Sequence, residues 1–116
     1  MTIEDMFGDL HQIDILAETK MGEVVMVLVC NGFIDASPQT QTALLDKMEG
    51  YLSHTQSEEF QKEYPKWPVI LRVTFTEKPD QLILDLLYKC QTWTDDYGVV
   101  LEIEIGGRKI RFVEQS

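Results

Sequence analysis

Cysteine and histidine, from which metal centres, disulfide frameworks and nucleophilic sites are most often assembled, occur only twice each in this chain of 116 residues. Cys30 and Cys90 fall on a predicted strand and a predicted helix, where a thiol serves as a small buried hydrophobe, so two reduced core thiols are expected rather than a disulfide. His11 lies near Asp9 and Asp14, but the spacing matches no closed zinc pattern, and no metal is expected. His54 falls late in a predicted helix and reads as a solvated or partly packed side chain. Ser37, His54 and Asp35 could be assembled on paper into a triad, yet helix capping explains Ser37 better. The carboxylate pairs Glu58-Glu59 and Asp95-Asp96 sit in polar sequence and read as solvated faces, not as a general acid and base.

Basic charge is scarce as well. Ten Lys and Arg stand against twenty Asp and Glu, a formal charge of −10, which repels nucleic acid and anionic membrane surfaces and first of all favours solubility. Apolar runs are short: the longest, Val24 to Cys30, has seven residues, where a membrane-spanning helix needs about 20. The segment Met1-Thr2-Ile3-Glu4-Asp5 is acidic where a secretory leader would be basic, so the expected location is the cytoplasm. Glycines spaced for a phosphate loop are missing too, because Gly106-Gly107 falls between two strands; no cofactor is expected.

What is present is enough for one core. Hydrophobic residues make up 44 % of the chain and charged residues 26 %, which predicts a single domain over residues 1–116, with residues 1–11 as an N-terminal arm in which Met6, Phe7 and Leu10 can pack. Residues 12–18 alternate as a half-buried strand apart from Leu16, and residues 23–30, apolar on both faces, read as an interior strand. Ser37-Pro38 starts a helix whose stripe is Leu44, Leu45, Met48, Tyr51, Leu52 and Thr55, opposed by Gln41, Asp46, Lys47 and Glu49. Ser57 to Tyr64 extends that helix or forms a separate short turn before Pro65.

The spacing places a third strand over Val69 to Phe75, with Ile70, Arg72 and Thr74 on its second face. Pro79 opens a second helix with the stripe Leu82, Ile83, Leu86, Leu87, Cys90, Trp93 and Tyr97, closed by Gly98. A two-residue turn at Gly106-Gly107 sets Ile105 against Arg108. Ile103 then faces Ile110 and Leu101 faces Phe112 on one side, while Glu104 faces Lys109 and Glu102 faces Arg111 on the other. The fold class is α+β: a two-layer sandwich in ββαβαββ order, its mixed five-stranded sheet in the spatial order 1-2-3-4-5 with two helices on one face.

The run from Leu45 through Lys47, Tyr51-Leu52 and Tyr64-Pro65 to Arg72-Val73-Thr74-Phe75 and Pro79 resembles a family of small uncharacterised bacterial proteins, a domain of unknown function. The resemblance implies a shared α+β fold and a bacterial source, and it carries no catalytic residues. Two surfaces remain as binding candidates. One is the proline-stiffened loop Tyr64-Pro65-Lys66-Trp67-Pro68, with Tyr64, Lys66, Trp67 and the nearby Arg72 as contact residues. The other is the sheet face turned away from the helices, valine-rich and left open unless the arm or a second copy in a homodimer covers it. The expected function is therefore a small acidic, non-catalytic protein-interaction domain that binds or neutralises a basic partner protein, a toxin for example. A small-molecule binder or modest enzyme with a pocket near Trp67 is the alternative.

Overall fold

The computed structural model describes residues 2–110. The chain runs α1 (Ile3–Phe7), β1 (Ile15–Glu18), β2 (Val24–Cys30), α2 (Pro38–Thr55), α3 (Glu58–Glu63), β3 (Val69–Phe75), α4 (Gln81–Asp96), β4 (Val99–Ile105) and β5 (Arg108–Ile110). Two short helices, α1 and α3, make the order αββααβαββ where the sequence predicts ββαβαββ. Both exist because their caps are good: Thr2 and Asp5 form a reciprocal capping box on α1, and the Ser57 hydroxyl accepts the amide of Phe60. Ser57 is also why α3 is a helix of its own. It restarts the hydrogen-bonding pattern two residues after α2 ends.

The strands lie in the order β1-β2-β3-β4-β5, antiparallel at both ends and parallel from β2 to β4. Parallel neighbours cannot be joined by a tight turn, and α2 with α3, then α4, supply the two long crossings. Val24, Met26, Leu28 and Cys30 on β2, with their counterparts on β3 and β4, point to one side of the sheet. There they form a single buried cluster with Leu44, Met48 and Leu52 of α2 and Ile83 and Leu87 of α4. Gly106 and Gly107 both take positive φ (56° and 84°), the mirror-image turn that only glycine adopts freely, and Ile103, Glu104 and Ile105 face Ile110, Lys109 and Arg108 as expected. The pairings of Leu101 with Phe112 and Glu102 with Arg111 lie outside the described residues.

Four details differ from the reading of the sequence. β1 covers only residues 15–18 and all four are exposed, because it is an edge strand that leaves the ladder at Asp14. The outer edge of β2 is instead closed by two substitutes: the Val29 amide donates to the Asp14 carboxylate (2.9 Å) and the Asn31 amide to the Met6 carbonyl (2.8 Å). Pro79 precedes α4 and does not open it. The cap is Asp80, whose carboxylate accepts the Leu82 amide at 2.9 Å, whereas a helix begun at Pro79 would have Lys78 as its cap and no acceptor there. Leu82 is 59 % exposed, since the buried stripe of α4 is Ile83, Leu87, Cys90 and Thr94. Lys47, expected on the wet side of α2, is fully buried.

The connection from α3 to β3 bends through Tyr64-Pro65-Lys66-Trp67, closed by the Trp67 amide on the Tyr64 carbonyl (3.3 Å), with Lys66 at φ 62°. That is the position where such a turn favours glycine. Relief of the left-handed strain at a β-carbon outweighs glycine's extra unfolded-state entropy, so Lys66→Gly is expected to raise stability by about 0.5 kcal/mol in urea unfolding. A loss of stability would show that the Lys66 side chain supports the turn.

Candidate functional site

The alternation that turns one side of the sheet toward the helices turns the other away from them, where Val25 and Ile70 are nevertheless buried and the exposed side chains lie toward the two edges. Strand register sets Ala17, Val25, Ile70 and Val100 in one row across it, Ile15, Val27, Arg72 and Glu102 in the next, and Val29, Thr74 and Glu104 in the third. Ile15 is 50 % and Val100 55 % exposed. Between them and the β5 hairpin sits a charged group: Arg72 reaches Glu102 with Nη2 at 3.0 Å and Nε at 3.1 Å, and the Lys109 ammonium lies 3.8 Å from the same carboxylate. Lys109 thus faces Glu104 in register but leans diagonally to Glu102. The N-terminal segment does not cover this face. Met6 and Phe7 belong to the core on the helical side.

Of the four residues singled out from sequence, three share a loop and one does not. Tyr64 is buried between Phe60 (5.1 Å between ring centroids) and Trp67 (5.2 Å), and its hydroxyl donates to Glu18 at 2.8 Å. That bond, with desolvation and the charge of Glu18, pushes the phenol up to about 12. Trp67 is half-buried against the core and Lys66 is exposed. Arg72 projects from the opposite face of the sheet. Ser37 caps α2 and bonds Asp35 and Thr40, while His54 lies seventeen residues further along, ~25 Å away at helical rise, edge-on to Phe60. His54 therefore does not meet Ser37 and Asp35. Among the described residues no three His, Cys, Asp or Glu side chains could together hold a metal ion.

The polar centre that sequence reasoning missed is around Lys47. Its ammonium donates to the Phe7 carbonyl and to both oxygens of Asp14 (2.8 and 2.9 Å), so every proton it carries has an acceptor. Tyr51 stands beside it, accepting the Asp14 amide at 2.8 Å and donating to the Val27 carbonyl at 3.0 Å. Burial pushes the Tyr51 phenol and the Cys30 thiol up, so both stay protonated and neither serves as a nucleophile at neutral pH. The group is a clamp: it fastens the N-terminal segment to α2 and to β2. The spacing could have revealed it, because Thr40, Ala43, Leu44, Lys47, Met48, Tyr51, Leu52 and Thr55, the buried residues of α2, follow one helical stripe.

Held by that clamp, residues 3–13 lie along α2 and leave concavities of about 350 to 490 Å3 between the two, all bordered by Leu10. One of them is lined by both histidines, His11 and His54. Trp67 borders none of these four.

Sheet and helices together define an α+β fold with a mixed five-stranded sheet and four helices. The chain belongs to a family of unknown function, DUF6572, whose model matches residues 1–107. No curated protein and no solved structure matches it. No helix among the described residues is long and apolar enough to cross a membrane.

Proposed function

We propose that this chain is a non-catalytic protein-interaction domain that docks through the open face of its sheet, and that a second copy of the chain is one occupant. The observation that carries the reading is the pairing of exposed Ile15 and Val100 with Arg72, Glu102 and Lys109 on that face. Apolar side chains supply the driving force, and a patch bearing both signs of charge is complementary to itself across a two-fold axis. Strand spacing and rise give a face about 20 Å on each edge. Two such faces cover about 800 Å2 in all, the size of a weak or transient contact. A further part of the proposal is that residues 1–116 are one two-layer domain acting in the cytoplasm; the buried cluster that α1, α2, α3, α4 and the sheet share supports the single core.

Val100→Glu tests the proposal, because it puts a carboxylate beside the centre of the face without touching the core. In sedimentation velocity the native chain is expected to run as a dimer and the variant as a folded monomer. A native monomer throughout, or a variant that still dimerises, overturns it.

A further inference from the structure

We infer that the trough between residues 3–13 and α2 is a docking groove for a cationic amphipathic segment of another protein. The inference rests on reading the chain as an interaction domain, but it concerns a different surface, on the helical side. Apolar side chains line part of it: Ile3, Leu10, Pro38 and Ala43 along one stretch, and Leu10 and Ile13 along another, beside His11, Gln12, Ser53 and His54. Its rim is acidic, with Glu4 and Asp9 on the N-terminal segment and Asp46 and Glu49 on α2. No Lys or Arg borders any of these concavities. Lys47 on the same helix is turned inward and paired with Asp14.

The charge is also local, unlike a solubilising coat. Residues 1–61 hold eleven Asp and Glu against two Lys, whereas residues 62–116 hold nine acids against eight bases. Nearly all the net charge therefore belongs to the half of the chain that builds the trough. A cationic segment would meet an unopposed field there, and its apolar side chains would find Leu10 and Ala43 beneath.

Gly50 adds an independent observation. It sits exposed in the middle of α2, where glycine costs about 1 kcal/mol relative to alanine. Nothing inside the fold demands it: a β-carbon there would rest 3.9 Å from the Leu10 carbonyl, an ordinary contact. Its missing side chain instead keeps the trough open from the outside, since it lines two of the four concavities. From Pro38 to His54 the groove follows α2 for ~24 Å, the length of about four helical turns. That fits an amphipathic helix laid alongside.

The test is a 15N NMR titration of the full chain with a synthetic helical peptide of Leu and Lys at three- and four-residue spacing, against a Leu/Glu peptide of the same pattern. The Leu/Lys peptide is expected to saturate, to shift the amides of Leu10, Ala43 and Gly50, and to weaken steeply with salt. Asp46→Lys with Glu49→Lys should weaken it about tenfold or more. Asp95→Lys with Asp96→Lys, which changes the net charge equally but lies at the end of α4, should leave the affinity unchanged. Equal effects of the two double variants, shifts centred on Arg72 and Val100, or equal binding of the Leu/Glu peptide would each overturn the inference. Val100→Glu should bind the peptide as the native chain does. Loss of the dimer and loss of peptide binding are therefore read separately.

Discussion

Replacing Lys47 by methionine should cost the fold about 3 kcal/mol, although the apolar stem of the side chain is nearly conserved. The loss comes from what is left behind. The Phe7 carbonyl is buried and would have no donor, and the Asp14 carboxylate would keep its charge with no cation beside it. Asp14 is partly solvated, with 23 % of its side chain exposed, so some of its charge can be hydrated and the cost falls at the lower end for a broken buried pair. Urea unfolding of Lys47→Met, Asp14→Asn and the double variant measures this directly. The double variant is expected to be less destabilised than the sum of the single ones, because the second change removes the orphaned charge. Strict additivity would mean that the two groups are not coupled, and the clamp would lose its physical basis.

Phe7→Ala is expected to be as damaging, at about 3 to 4 kcal/mol, since the ring is 1 % exposed and packs in the main cluster. The nature of the damage should differ. A five-residue helix has little stability of its own, so beyond its capping box α1 depends on the buried Met6 and Phe7 side chains and on the carbonyl held by Lys47. Loss of the ring should free the whole segment, and hydrogen exchange should show it at the Asn31 amide, which bonds the Met6 carbonyl. Protection of that amide is expected to fall further than that of Leu71 or Val73 in the middle of the sheet. A destabilisation below about 1 kcal/mol would place Phe7 among the peripheral contacts.

The C-terminal half was largely legible from sequence because its signals are local. Two glycines at a turn set a register, alternation set the faces of β3 and β4, and the strand order followed from where helical segments interrupt the strands. β2 was legible as an interior strand for the same reason: it is apolar on both sides, and Val25 and Met26, on opposite faces, are both buried. What escaped depends on contacts between distant residues. α1 is too short to show a period, and its place is decided by a lysine forty residues away. Lys47 itself was misplaced by its chemistry and not by its position, since a charged residue on an apolar stripe reads as wet until a partner such as Asp14 is known. Tyr64 and Trp67 could be recognised as a rigid aromatic pair, whereas their separation from Arg72 needed the sheet between them. The trough along α2 had no signal in the motif of any single segment, because its two walls come from different parts of the chain.

Asp14 has one more consequence, for how the folded chain avoids edge-to-edge association. Val24 to Cys30 is seven residues of aliphatic, uncharged, proline-free strand, the composition of segments that stack into cross-β fibrils. β1 shields its outer edge only as far as Val27, and the donor at Val29 is taken by the Asp14 carboxylate. With that donor already taken, an incoming strand is denied its next hydrogen bond. The group that fastens the N-terminal segment in the folded molecule thereby also acts as gatekeeper over the stretch of sequence most prone to aggregate.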